Sequence, residues 1–239
     1  MRAPYGLQII ESCLGCALRT ERLFCDLSAE ALADFDSVKS AIVYPRGALV
    51  FVEGQTPRGV YVLCSGRAKL STSASDGKTL IMQIAEPGEV LGLSATVSGK
   101  PYEATVETLD PCQLNFVRRD DFLKFLSRHG EACLRVAHHL SNNYHNAYEQ
   151  IRSLGLSHSA GEKLARLLIS WCRETGKATD QGIRVKLSLT HEEIAQMIGT
   201  SRETVTRLLS EFRVKEIIRL KGSNLLVRDQ TALERMAGS

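Results

Sequence analysis

Between residues 41 and 117 apolar and polar positions tend to alternate. The stretches "AIVYPRGALVFVEG" and "RGVYVLCSGRAKLSTSA" are rich in Val, Leu and Tyr, and a period of two places one side of each segment against a core, as in β-strands. Pro45-Arg46-Gly47, Gly54-Gln55, Ser65-Gly66, Asp76-Gly77 and Pro87-Gly88 interrupt the pattern with turn-forming residues. Short strands at this spacing, with no helical stretch between them, predict an antiparallel barrel or sandwich of about eight strands. Cys64 shares its strand with Val60, Val62 and Leu63 and reads as a core residue.

The period then lengthens. In "EACLRVAHHLSNNYHNAYEQIRSLGL" the residues Cys133, Ala137, Leu140, Tyr144, Ala147, Ile151 and Leu154 recur at steps of 4 and 3, the a/d seam of a coiled coil. The stripe is narrow and flanked by polar residues. That favours a seam between two copies, through Ala137, Leu140, Tyr144, Ala147, Ile151 and Leu154, over a helix lying on its own barrel. A second helix, "SAGEKLARLLISWCRET", starts near Ser159; residues 176–182 read as a loop and "IRVKLSL" as a short strand.

In "LTHEEIAQMIGTSRETVTRLLSEFRVKEIIRLKGSNLLVRD", Thr190 and Glu193 form a capping box that starts a helix, with Ile194, Met197 and Ile198 inward. Gly199 ends it, and Ser201 caps a new helix two residues later. Val205, Leu208, Leu209 and Phe212 face inward there, leaving Arg202, Glu203, Thr206 and Arg207 outward near its start. Two short helices joined by a Gly turn, followed by a hairpin at "GSN", define a winged helix-turn-helix. Arg, Glu and Thr side chains so placed match guanine, cytosine and thymine edges; the alternative is a solvated helix face.

A roll of strands, a long dimer helix and a C-terminal winged helix-turn-helix containing "GTSRETVTRLL" resemble the CRP/FNR family of bacterial transcription regulators over residues 30–235. The expected fold is therefore α+β: a cysteine-rich segment at 1–29, a cyclic-nucleotide-binding-like antiparallel β-roll at 30–128, a dimerisation helix at 129–157 and the DNA-binding domain at 158–239. The resemblance implies that Glu203 and Arg207 read the G·C and A·T pairs of a TTGA-like inverted repeat. Thr206 stands where the FNR branch carries a small hydroxyl residue, and Arg202 where the CRP branch carries Arg. It also implies a homodimer on double-stranded DNA, acting with RNA polymerase.

Composition agrees. Residues 159–239 hold 14 Lys+Arg against 10 Asp+Glu, while the rest of the chain holds 16 against 17, a mildly basic third suited to a polyanion. No run of about eighteen apolar residues suggests a membrane span, and the start lacks a secretory apolar region, so the expectation is a cytoplasmic protein. Seven cysteines, an odd number, argue against a disulfide framework. An enzyme on a cupin-like roll is disfavoured, because no His-x-His pair occurs among the strands and the first histidine, His129, follows them. His138, His139 and His145 are expected to be solvated on the long helix.

Two clues bear on the input signal. The family's cyclic-nucleotide binders resemble one another in a Gly-Glu pair and a phosphate-gripping Arg-Ser pair. Here Gly88-Glu89 is kept, but Tyr102-Glu103 replaces Arg-Ser, and a carboxylate beside a phosphate is repulsive; no cyclic nucleotide is expected. The stretch "CLGCALRTERLFC" brings Cys13, Cys16 and Cys25 together. Thiolates spaced like Cys13 and Cys16 can bind one metal centre, and four are the usual complement for zinc or an iron–sulfur cluster. Inert buried thiols are the remaining alternative. Of the other cysteines, Cys133 lies on the seam, Cys172 in the C-terminal domain and Cys64 in the core. Cys112, after Asp110-Pro111 at the entrance to the last strand, is placed to meet the N-terminal segment. The FNR branch resembles this layout, with a cysteine trio plus one in a context like "LDPCQLNFV". That implies a 4Fe–4S cluster on Cys13, Cys16, Cys25 and Cys112, and oxygen or redox sensing. Eight residues separate Cys16 from Cys25, more than in the best-known members, and a loop absorbs such length at small entropic cost. Zinc, nitric oxide, thiol redox or a constitutive regulator remain the alternative inputs.

Overall fold

Eight strands between residues 40 and 118 form two antiparallel sheets in the computed structural model, which describes residues 4–16, 19, 24–156, 159–187, 189–222 and 224–238. They are β1 (Ser40–Tyr44), β2 (Leu49–Phe51), β3 (Gly59–Ser65), β4 (Ala68–Ser73), β5 (Thr79–Ala85), β6 (Val90–Leu91), β7 (Thr105–Thr108) and β8 (Cys112–Arg118). One sheet runs β1-β8-β3-β6, the other β2-β7-β4-β5. Between them lies a core rich in aromatic residues, with Phe51, Tyr61, Leu63, Tyr102 and Leu114.

The outer face of the first sheet carries a second core. Val60, Val62 and Val117 pack there against Phe24, Phe35 and Phe122. Strand alternation makes the division: Val60 and Val62 point outward and Tyr61 and Leu63 inward on β3, while Val117 points outward and Cys112 and Leu114 inward on β8.

Three helices here were not anticipated: α1 (Ala29–Val38), α2 (Leu93–Ser98), which interrupts the strand region, and α3 (Arg119–Arg128). Each spans three turns or fewer, too short for a distinctive period. The Ser28 hydroxyl accepts from Ala31 N–H and starts α1, whose Ala31, Leu32 and Phe35 are buried. Phe122 and Phe125 do the same for α3.

The long helix is α4 (Gly130–Leu156). Ala132 and Val136 are buried in the outer core, while Leu134, Tyr144, Tyr148 and Ile151 stand 54–74% exposed. His139, expected in solvent, is buried, and its Nε2 meets Val90 O at 3.2 Å. It lies on the buried stripe, three residues after Val136.

The chain divides into two compact units, Met1–Asn146 and Ala147–Ser239. The second contains α5 (Ala160–Thr175), β9 (Lys177–Thr179), β10 (Gly182–Lys186), α6 (His191–Ile198), α7 (Arg202–Val214), β11 (Ile218–Lys221), β12 (Asn224–Val227) and α8 (Gln230–Met236). Its strands form one sheet, β11-β12-β10-β9. The expected loop at 176–182 therefore includes a strand, paired through Lys177 and Arg184. Leu164, Leu168, Ile194, Leu209 and Phe212 fill this unit's core. Among the described residues no helix is long and apolar enough to cross a membrane.

Candidate functional site

Side-chain hydrogen bonds fasten the N-terminal segment to the roll. Gln113, fully buried, donates from Nε2 to Ile10 O at 2.7 Å and accepts Ile10 N–H on Oε1 at 2.8 Å. Cys13 N–H donates to Asp36 Oδ1 at 2.8 Å. Lys39, with 5% of its side chain exposed, donates to Glu11 O at 2.7 Å and pairs with Asp36 at 3.2 Å. Cys16 N–H closes a turn onto Cys13 O at 3.3 Å. Phe24 is held edge-on to Phe35, ring centroids 5.6 Å apart.

These anchors bring Cys13, Cys16 and Cys25 to one cavity, with about 560 Å³ of space not filled by atoms, part of it open to solvent. The fourth cysteine on its wall is Cys64. Cys64 lies at a bulge, where the pairing of β3 with β8 shifts between Leu63 and Ser65. Cys112, expected beside the trio, is instead fully buried in the roll interior. Its thiol donates to Arg67 O at 3.3 Å and Asp110 O at 3.2 Å. The reason is strand parity: on β8, Gln113 and Asn115 face the N-terminal segment, so Cys112 and Leu114 face away.

The thiols have distinct surroundings. Burial pushes Cys13 up to about 12, against the pull of the Lys39 ammonium. Burial, with repulsion from Cys25 and Cys16, raises Cys64 to about 12. Cys112 rises to about 11, by burial and the nearby Asp110 carboxylate. Burial would raise Asp36, but the Cys13 N–H bond and Lys39 hold it below the usual carboxylate range. Asn115 Nδ2 donates to Cys13 Sγ at 3.6 Å. Among the described residues, no three His, Cys, Asp or Glu side chains stand close enough to hold a metal ion. The donors nevertheless suit a soft metal or a cluster, because four thiols open on one partly enclosed space.

Inside the roll, Tyr102 stacks on Phe51 with ring centroids 3.9 Å apart and donates to Gly59 O at 2.9 Å. Glu103 accepts from Ser94 Oγ at 2.5 Å. An aromatic side chain thus occupies part of the interior where the resemblance would put a phosphate-gripping Arg.

In the second unit the capping box forms as expected. Thr190 N–H donates to Glu193 Oε2 at 2.7 Å, and Glu193 N–H to Thr190 Oγ1 at 3.2 Å. Gly199 turns the chain at φ 64°, a left-handed conformation that favours glycine. Ser201 Oγ accepts from Thr204 N–H at 3.2 Å and starts α7. Ser201, Arg202, Glu203, Thr206 and Arg207 are all exposed, while Val205, Leu208, Leu209 and Phe212 are buried. Hydrogen bonds from its own N–H and the Ser201 hydroxyl hold the Glu203 carboxyl below its ordinary range. Sequence reasoning overlooked His191, whose Nδ1 lies 2.8 Å from Thr206 Oγ1 and joins α6 to the exposed face of α7. It also overlooked Lys39 and Asn115, and it set Cys64 aside as core; for Asn115 and Cys64 the phase of the strand was the available signal.

Comparison with known proteins agrees with this architecture. A cyclic nucleotide-binding domain matches residues 41–129, and a Crp-like helix-turn-helix domain matches residues 162–236. The CRP-like cAMP-activated global transcriptional regulator of Mycobacterium tuberculosis is 26% identical, covering 90% of this chain and 96% of its own. The global nitrogen regulator of Synechococcus elongatus is 29% identical, covering 80% and 87%. FixK2 from Bradyrhizobium japonicum shares the fold with a TM-score of 0.73 at 21% identity, covering 84% of this chain and 98% of its own. Roll, long helix and winged helix-turn-helix define a DNA-binding transcription regulator. The chain belongs to the CRP/FNR family.

Proposed function

We propose that this protein is a homodimeric transcription regulator of the FNR type, in which an iron–sulfur centre held by N-terminal cysteines governs dimerisation and so operator binding. The observation that carries the reading is the convergence of Cys13, Cys16 and Cys25, which span thirteen positions, on one cavity. Such a cluster, when bound, supplies an oxygen- and redox-labile cross-link between thiolates.

The chain's own residues do the rest. Asp26, next to Cys25, accepts from Arg135 Nη2 at 2.6 Å, and Ser28 N–H donates to Glu131 Oε2 at 3.1 Å. Ordering of Cys25 is thereby transmitted to α4. The exposed apolar residues Tyr144 and Ile151, with Ala137, Leu140, Ala147 and Leu154, then pair with a second copy. The seam buries two alanines and an amphipathic tyrosine, so the dimer is marginal and a few kcal/mol shifts its population. Only the dimer presents two recognition helices one DNA turn apart. There Glu203 and Arg207 read base edges of a TTGA-like half-site, Thr206 and Arg202 flank them, and Ser201 fixes the helix start. Exposed Arg219 and Lys221 on the wing meet phosphates. The setting is the cytoplasm, and the role is regulatory, in concert with RNA polymerase, not catalytic.

Iron and acid-labile sulfide counts on protein purified without oxygen test the input, together with absorbance near 400 nm (approximate, from general iron–sulfur chemistry). Sedimentation and binding to an inverted repeat before and after air exposure test the output. Protein that contains iron and sulfide, dimerises and binds DNA only without oxygen supports the reading. Colourless, iron-free protein that binds its operator fully overturns it, and zinc in place of iron assigns the thiols to a structural site. Tyr144→Glu with Ile151→Asp should leave the helical content intact and abolish the dimer.

A further inference from the structure

We propose that Cys64, and not Cys112, supplies the fourth thiolate, so that the centre ties Cys13, Cys16 and Cys25 to strand β3. The inference rests on the iron–sulfur reading above and deepens it.

Three independent features lead there. The first is compartment. Cys64 lines the cavity reached by the trio, while Cys112 lies on the other face of the same sheet, in the roll interior. For the Cys112 side chain to enter the cavity, β8 would have to slip by one residue. That slip would turn Gln113 and Asn115 inward and Leu114 outward, breaking the two Gln113 bonds to Ile10. The second is availability. The Cys112 thiol is fully buried and already has two carbonyl acceptors, at 3.2 and 3.3 Å. The Cys64 thiol makes a single long contact as donor, 3.6 Å to Val62 O, at a bulge where β3 leaves regular pairing. Bulges re-aim side chains in this way.

The third feature is what surrounds the donors. A cluster bound by four thiolates is an anion, and an anion in a partly buried space needs donors and a nearby cation. Asn115, next but one to Gln113 on the same face of β8, presents its side-chain amide to Cys13 Sγ at 3.6 Å. Lys39, its side chain almost wholly buried, is fixed beside the Cys13 turn by Glu11 O and by Asp36, which itself accepts from Cys13 N–H. The Cys112 thiol instead faces the Arg67 and Asp110 carbonyls.

Ligation at Cys64 would be a ligand exchange: the thiol would give its proton to solvent, its thiolate would take the place of a water or small thiolate on iron, and that displaced ligand would leave to solvent with no change of oxidation state.

The test compares Cys64→Ser, Cys112→Ala, Cys112→Val and Cys13→Ser in the full chain, purified without oxygen. Iron, acid-labile sulfide, visible absorbance and the EPR spectrum after reduction are measured for each. Thermal unfolding of the metal-free forms controls for folding. The expected result is that Cys64→Ser loses the cluster as fully as Cys13→Ser does, while its metal-free form melts like metal-free wild type. At least one Cys112 variant keeps the wild-type iron and sulfide counts and spectrum. A cluster retained with an unchanged EPR spectrum in Cys64→Ser overturns the inference. So does its loss in both Cys112 variants with their metal-free folds intact, and in either case the iron–sulfur reading stands. Wild-type protein without iron overturns both.

Discussion

Asp26 Oδ2 accepts a hydrogen bond from Arg135 Nη2 at 2.6 Å, joining the residue after Cys25 to the long helix α4. Ser28 repeats the connection two residues later, with its N–H on Glu131 Oε2. Both side chains of the Asp26–Arg135 pair are partly exposed, so its direct stabilisation is modest, about 0.2–1 kcal/mol. Its importance is positional, because it spans the thiol site and the helix proposed to dimerise. Arg135→Ala should leave iron content unchanged and shrink the effect of air on the dimer dissociation constant by about two- to fivefold. Sedimentation velocity of the two proteins, before and after exposure to air, checks this.

Recognition of bases makes a separate demand. Arg207 Nη1 rests on Glu211 Oε1 at 2.6 Å, an exposed pair one turn apart on α7. Replacing Arg207 by Ala should cost about 1–3 kcal/mol in binding to a specific operator and relax preference at one base pair. Fold stability should change by less than about 0.5 kcal/mol, because the pair is on the surface. Selection from randomised operators, run beside urea unfolding, separates the two effects.

The turn between β3 and β4 is tightly built. Gly66 has φ 81°, and a Cβ there would lie 2.3 Å from Pro111 O, a backbone atom that cannot swing aside. Gly77 has a similar φ of 84° but nothing within 4 Å. Gly66→Ala should therefore destabilise the roll by on the order of 3 kcal/mol, and Gly77→Ala by only about 1 kcal/mol. Urea midpoints of the metal-free proteins give the comparison; equal losses would show that backbone strain alone sets the effect.

His139 introduces a pH dependence. Burial lowers its affinity for a proton, opposed by the hydrogen bond to Val90 O. Below its ordinary value of 6.5 the unfolded chain takes up a proton that the folded chain resists. Its contribution to stability is therefore fully present above 6.5 and is lost as pH falls from there through the depressed folded value. Wild type should lose more stability than His139→Gln between about pH 7.5 and about pH 5.5. Parallel urea titrations at the two pH values measure the difference.

Much of this organisation is visible along the chain because its causes are local. Thr190 and Glu193 lie within one turn, as do Ser201 and Thr204, and the helix-turn-helix follows from them. The strands of the roll show in their period of two. What escaped was set by distant partners. Helix α1 has only three buried residues in its own span, and its place depends on Phe24 and Phe125 meeting Phe35. His139 looks polar until Val90 O is set beside it. The choice between Cys64 and Cys112 was within reach, since Cys64 is in phase with Val60 and Val62. Yet knowing which phase faces the N-terminal segment required Gln113 and Ile10, 103 positions apart, to be seen in contact.

The β1-β8-β3-β6 sheet is a partition one residue thick, with sulfur chemistry on one side and stacked rings on the other. Because neighbouring side chains project to opposite sides, the two compartments can change independently: hollowing out the interior at Tyr102 or Phe51 would leave the thiol wall in place. If the thiol wall takes the proposed input, the roll interior stays free for a small-molecule one, and both would reach α4 through this sheet, whose outer face packs against Val136 and whose Val90 O meets His139.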